Sequence, residues 1–337
     1  MSTSILLITP PFTQLNTPYP ATAYLKGFLN TKSISSYQAD LGIEVTLQLF
    51  SKTGLTEIFN LYQQKEDTSS NAKRIFFLKD DYLKTIEDVI LFLQGKNSTI
   101  AHFIASRNFL PEAERFKQID DTSWAFGKMG IQDKAKHFAT MFLEDLSDFI
   151  KECIDPHFGF SRYAEKLARS ANSFDEIHFS LQQPLSLIDE ILIGLLQEKI
   201  NSHQPKLVCI SVPFPGNVFA ALRCGQFIKQ NYSTIKVAFG GGFANTELRD
   251  IKDVPVFKFI DFITLDDGEA PIENLLKFIV GEIGQQDLKR TFLLENNQII
   301  YINNSSCTDY KQHEVGTPDY SDLFLDQYIN EIGRAHV

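Results

Sequence analysis

The feature that most constrains this chain is a set of short apolar runs that lack polar alternation and stop abruptly. "SILLITPP" (Ser4 to Pro11) ends at two prolines, and "KLVCISVPFPG" (Lys206 to Gly216) at Pro213 and Pro215. "IKVAFGGG" (Ile235 to Gly242) ends at three glycines, and "FKFIDFITLDDGE" (Phe257 to Glu269) at an acidic turn. A fifth run, "ISSYQAD" (Ile34 to Asp40), is weaker. A strand with one wet face alternates, whereas continuous runs suit strands buried on both faces, as in a parallel sheet. Helical patterns stand between the runs. Tyr24, Leu25, Phe28 and Leu29 are so spaced within Tyr19 to Thr31; Phe219, Leu222, Phe227 and Ile228 within Asn217 to Asn231; and Ile272, Leu275, Leu276 and Ile279 within Ala270 to Val280.

Strand–helix alternation of this kind implies right-handed crossovers. The expected fold is α/β: a flavodoxin-like (Rossmann-like), doubly wound, parallel five-stranded sheet in the order 2-1-3-4-5. Such sheets bind ligands outside the carboxyl ends of their strands. Four of those ends, "TPPF", "SVPFPGN", "FGGGFAN" and "LDDGEAP", would share one edge. Glycine admits close backbone approach, and helix N-termini offer N–H groups to anions. Each segment alone also suits an ordinary strand-to-helix turn; the four together point to a binding edge. Between Gly54 and Gln204 the pattern is helical, in Asp80 to Lys96, Asp133 to Ile154 and Leu185 to Ile200. The expected organisation is therefore an α/β domain formed by 1–54 and 204–284, with a helical insertion over 55–203. The aromatic stripes of the insertion read as core.

Bulk properties exclude several classes. A net charge of −10 argues against a general nucleic-acid binder. No apolar run approaches the length of a membrane span, and "MSTSILLITPPF" has no basic segment of the kind that opens a signal peptide. Cys153, Cys209, Cys224 and Cys307 form no CxxC pair, so free thiols in a cytoplasmic protein are expected. No histidine pair has metal-ligand spacing, no P-loop occurs, "GGGFAN" lacks the G-x-G-x-x-G spacing, and Ser211 is not in G-x-S-x-G.

The order "TPP", "DLGIE", helical insertion, "SVPFPGN", "GGGF" and "DDGEAP" resembles the cobalamin-binding N-terminal domain of cobalamin-dependent radical S-adenosylmethionine proteins. The resemblance runs from Ser4 to about Tyr328, and "VGTPDYSDLFLDQYI" (Val315 to Ile329) looks like the linker towards the radical domain. Wider relatives of that family carry D-x-H-x-x-G, whose histidine ligates cobalt. Asp40 matches its Asp, the ligand position falls on Gly42, and Glu44 follows, so the resemblance implies no imidazole on cobalt from this loop. Ser211 matches the family's S-x-L serine, with Pro213 in place of Leu. Gly240 to Gly242 match its glycine pair, and Glu269 matches the end of its G-E-G-E stretch, from which Asp266 and Asp267 depart. The candidate cofactor-binding residues are Pro10, Pro11 and Phe12; Asp40, Leu41 and Gly42; Ser211, Val212, Pro213 and Phe214; Gly240, Gly241, Gly242 and Phe243; and Asp267, Gly268 and Glu269. Tyr24, Phe12 and Phe214 are candidates for apolar cover, and each suits the core equally.

The family's second cofactor pair, a [4Fe–4S] cluster with S-adenosylmethionine, needs a CxxxCxxC triplet that these residues lack. The tail explains where it would be. Ile332 to Val337 back-translates to ATC GGA AGA GCA CAC GTC, the start of a sequencing adapter, and the preceding AG fits a GAG codon for Glu331. The expectation is an adapter-derived 332–337, a linker over 285–331, and a radical domain beyond. The fragment would then bind cobalamin as part of a radical enzyme, such as a methyltransferase, without catalysing alone. Two alternatives stay open: a non-enzymatic flavodoxin-like nucleotide-binding or sensory module, and a sugar-nucleotide transferase. The lack of a basic or DxD phosphate–metal signature counts against the transferase.

Overall fold

The computed structural model describes residues 4–117, 130–160 and 174–330, so the adapter-like tail lies outside the described residues. The chain begins with β1 (Ser4–Thr9), α1 (Ala21–Thr31), β2 (Ser35–Asp40) and α2 (Leu41–Leu49). A helical excursion follows: α3 (Lys52–Leu61), α4 (Ser70–Phe77), α5 (Lys79–Leu93), α6 (Ala101–Ala105), α7 (Glu114–Lys117), α8 (Ile131–Cys153), α9 (Asp175–Leu181) and α10 (Leu187–His203). The return runs through β3 (Leu207–Ser211), α11 (Val218–Asn231), β4 (Lys236–Gly240), α12 (Gly242–Glu247), β5 (Phe262–Thr264) and α13 (Glu269–Ile279). A hairpin of β6 (Thr291–Glu295) and β7 (Gln298–Ile302) completes the sheet. No described helix is long and apolar enough to cross a membrane.

The result is a mixed α/β architecture on one seven-stranded sheet, ordered β2-β1-β3-β4-β5-β6-β7. β1 pairs in parallel with β2 on one side and with β3 on the other, and β4 and β5 continue the parallel run. β6 and β7 are antiparallel. The expected five strands are therefore two too few, and part of the expected 285–331 linker is sheet. The missed hairpin had a signal: "TFLLE" and "QIIYI" flank Asn296–Asn297. Both asparagines have positive φ, 47° and 61°, the two-residue turn whose twist suits a hairpin. β5 is shorter than its apolar run. Val254–Lys258 with its proline forms a 3-10 turn, and the Asp261 carboxylate accepts from the Val237 N–H at 2.9 Å.

Alternation along the strands divides the core. Ile5, Leu7, Leu207, Cys209, Ala238 and Phe262 face α1 and α13. Leu6, Ile8, Val208, Ile210, Val237 and Phe239 face the other way, in one continuous cluster with Tyr82, Phe142 and Phe149 of the helical excursion. The boundaries at 55 and 203 therefore mark a change of topology and not a break in the core. Arg223 of α11 and Asp189 of α10 tie the two parts together, at 3.0 Å with both side chains buried. Asp189 also closes a capping box with Ser186.

The stretch 315–330, which resembles a linker, is packed against the fold. The Asp319 N–H donates to the Ala23 carbonyl at 2.9 Å, and Asn30 Nδ2 to Asp319 Oδ2 at 2.8 Å. Lys26, itself buried, is ion-paired with Asp322. Asp322 also accepts from the Gln38 N–H of β2 at 3.1 Å. Further on, the Ile329 N–H donates to the Leu15 carbonyl at 2.7 Å and Asn330 to that of Leu93 at 2.8 Å.

The Arg223–Asp189 pair makes a direct prediction. Arg223→Met leaves a buried carboxylate uncompensated and should cost about 3–5 kcal/mol in chemical denaturation. Adding Asp189→Asn should recover part of that loss; a single substitution costing under about 1 kcal/mol would show that the pair is not desolvated.

Candidate functional site

α1 and α13 lie on the same face of the sheet, and between their N-terminal turns a cleft of about 260 Å³ opens at the carboxyl edge. Its floor follows from strand alternation. β3 presents Leu207, Cys209 and Ser211 to this face, and β4 presents Ala238 and Gly240. Cys209 stands opposite Ala238, and Ser211 opposite Gly240. Side chains shrink towards the carboxyl ends, so a face that is filled in its amino half is hollow in its carboxyl half. Thr22 and Leu25 of α1, Ile272 of α13, Thr264 of β5 and the 266–269 turn supply the walls.

The floor is apolar in character and contains one unsatisfied group. Burial pushes the Cys209 thiol up to about 12, so it is neutral at ordinary pH. Ser211 Oγ is buried with no hydrogen-bond partner among the described residues. A buried hydroxyl left unmatched costs free energy unless something bonds it. The mouth is acidic: Asp266, Asp267 and Glu269 line it. Burial, with Asp267 nearby, holds the Glu269 carboxyl above its ordinary range. Arg249 pairs with Asp266, and buried Arg290 donates to the backbone carbonyls of Leu265 (3.2 Å) and Asp267 (2.9 Å), fixing the turn.

Of the residues expected from sequence, Ser211, Gly240, Gly241, Asp267, Gly268 and Glu269 line this cleft. Val212, Pro213, Phe214, Gly242 and Phe243 belong to the adjoining loops. Phe214 is half exposed and meets Tyr19 edge-on at 5.9 Å, and Tyr24, also exposed, lines the cleft. Phe12 is a correction: it is fully buried, edge-on to Phe158 at 5.5 Å, and gives no cover to a ligand. Pro10 and Pro11 are buried beside it, and Asn217 Nδ2 donates to the Pro10 and Phe12 carbonyls at 3.1 and 3.0 Å. Cys209, Ala238, Thr22, Leu25, Thr264 and Ile272 were missed. Their signal was slight: small Cys209 and Ala238 interrupt runs of large apolar residues.

The glycine run has an intramolecular explanation. Gly241 has φ +100°, and a Cβ there would stand 2.9–3.1 Å from the Val212 backbone. One on Gly242 would stand 2.7 Å from the Pro213 carbonyl oxygen, and one on Gly240 2.9 Å from Thr264 Oγ1. The backbone of the β3 loop lies directly against that of the β4 loop, so two of the three glycines are required with or without a ligand. Gly240 and Gly241 also line the cleft, and at Gly240 a Cβ would press on the Thr264 side chain and not on backbone.

Asp40, Leu41 and Gly42 lie apart from the cleft at the end of β2. Asp40 Oδ1 accepts from the Gly42 and Ile43 N–H groups at 3.0 and 3.3 Å, capping α2, and Oδ2 accepts from Tyr328 at 2.8 Å. Leu41 is core, and Glu44 is paired with Lys199 at 2.8 Å. Among the described residues no group of three or more His, Cys, Asp or Glu could hold a metal ion. The chain matches no protein-family model, no curated protein and no solved structure.

Burial raises the Asp40 carboxyl to about 6 against its hydrogen bonds. A carboxyl raised in the folded state stabilises fully below its unfolded value, near 4, and that stability is lost as pH rises through the folded value. Asp40→Asn keeps the cap without the charge. Relative to the parent it should gain about 1–3 kcal/mol between about pH 4.5 and 7.5 in denaturant unfolding. An offset equal at both pH values would contradict this.

Proposed function

We propose that this chain binds cobalamin, as the cofactor module of a radical S-adenosylmethionine enzyme. The observation that carries the reading is the hollow carboxyl half of the α1/α13 face, with its floor of small side chains and its unmatched Ser211 hydroxyl. Within the seven-stranded sheet, β2, β1, β3, β4 and β5 are parallel neighbours in that order, which supports a flavodoxin-like reading, and the cleft lies over β1, β3 and β4, where that order reverses. A cavity of about 260 Å³ takes one flat ring system and no macrocycle. A ligand that fits is broad outside and narrow within. Cobalamin has that form, a flat corrin with a ring-bearing nucleotide tail. The tail ring would lie on Cys209 and Ala238, Ser211 would hydrogen-bond it, and Tyr24 and Phe214 would border the corrin outside. Bound cobalamin supplies an alkyl-carrying cobalt, which suits methyl transfer by a complete enzyme. The [4Fe–4S] cluster and S-adenosylmethionine would belong to a domain outside these residues.

A plain nucleotide-binding or sensory module is the second reading, since a ring slot also suits a base. The acidic mouth at Asp266, Asp267 and Glu269 disfavours a di- or triphosphate there. Mixing the purified chain with hydroxocobalamin should leave corrin absorbance on the protein peak after gel filtration. Ala238→Leu, which fills the floor, should weaken retention at least about tenfold, and Ser211→Ala about three- to tenfold. A folded chain that retains no corrin but retains ATP or FMN would favour the second reading.

A further inference from the structure

Helix α1 has two occupied flanks. Ala21, Thr22 and Leu25 form one wall of the cleft. Ala23, Lys26, Gly27 and Asn30 hold the strap formed by residues 315–330. The strap also bonds Gln38 of the edge strand β2, so it lies on the side of α1 away from α13. Its fit is close. A Cβ on Gly27 would collide with the Thr317 carbonyl, and Gly316, at φ +77°, packs back on the Gly27 carbonyl. The contact is also charged: Lys26 is nine-tenths buried, donates to Ser321 at 3.1 Å and is ion-paired with Asp322. Removing the strap would take away both carboxylate partners of that ammonium and its Ser321 acceptor.

We infer that the strap sets the lateral position of α1 and thereby the width of the cleft, so that docking of residues 315–330 and occupation of the cleft are coupled. α1 is the shared element. Across the cleft, α13 packs on the sheet through Ile272, Leu275 and Leu276. α1 is short, eleven residues, and its first turns carry both the wall and the first strap contacts. A helix free to slide along the sheet changes the cleft; a helix wedged between strap and sheet does not. By reciprocity, a ligand wedged between α1 and α13 strengthens the hold on the strap by the same factor. The width effect stands on geometry alone; its extension to corrin rests on the reading proposed above.

Two buried thiols make a ligand-free test possible. Cys209 lies on the cleft floor, and Cys224 lies in the core on the opposite face. Gly27→Ala pushes the strap off by one methyl group while favouring the helix itself, since Ala is the better helix former. Asp322→Asn loosens the strap from its own side, by weakening its ion pair with Lys26 and leaving the α1 sequence unchanged. Alkylation resolved by peptide mass spectrometry should proceed about tenfold faster at Cys209 in both variants, with Cys224 unchanged. Hydrogen exchange at Asp319 and Ile329 reports strap release directly. A released strap with unchanged Cys209 labelling would overturn the proposal. An equal rise at both thiols would overturn it too, because the strap would then hold the whole fold. If Gly27→Ala does not fold, Asp322→Asn decides the question. In the parent chain, hydroxocobalamin should slow exchange at Asp319. If hydroxocobalamin does not bind, the cofactor reading fails while the thiol result still decides the coupling.

Discussion

The parallel pairing of β1 with β3 is the constraint on which the rest of the structure depends. It brings Ile5 to Leu207 and Ile8 to Ile210 across the entire helical excursion. Once it forms, α1 crosses to β2 on one side of β1, the later strands add on the other, and the order reverses at this point. The pairing also aligns the strand ends whose side chains shrink. Loop closure over so long a separation is costly, and it is repaid by burying both faces of the sheet. The helical excursion contributes to that burial, because its aromatic core is continuous with one face.

The opposite face shows a different balance. Leu207, Phe28 and Leu29 fill its amino half to complete burial. Cys209, Ser211, Ala238 and Gly240 leave the carboxyl half open. Close packing normally removes such hollows, since a void forfeits dispersion contacts on its lining. Here the hollow lies under a helix whose other flank is braced by a distant part of the chain. The unmatched Ser211 hydroxyl and the acidic turn fixed by Arg290 are placed at the same opening. Together they describe a site whose shape depends on three separate stretches: the α1 flank, the β3–β4 loops, and the appended hairpin that supplies Arg290.

Much of the frame was legible in the residues, and the reasons are physical. Unbroken apolar runs ended by proline or glycine mark buried parallel strands, and the helices between them kept their spacing in α1, α11 and α13. The site was only half legible. Strand ends announce an edge, so Ser211, Gly240 and Glu269 were found, but a floor made of absent side chains leaves little trace in a sequence. Gly241 and Gly242 illustrate a converse error, since close backbone approach was expected from a ligand and came from the neighbouring loop. The strap was invisible because its contacts are scattered, polar pairs such as Lys26 with Asp322 and Asp40 with Tyr328 beside single buried residues such as Ile329, with no periodicity. Phe12 was misread because a residue after a proline pair at a strand end is equally suited to cover and to core.

The central claim is that the cleft between α1 and α13 receives a ring of a larger flat ligand. A crystal structure of the chain grown with cobalamin tests it most directly. The account predicts a flat ring lying on Cys209 and Ala238 within hydrogen-bond reach of Ser211 Oγ, with the corrin outside at the carboxyl edge. A cobalamin bound elsewhere, with this cleft collapsed or holding only solvent, would contradict it.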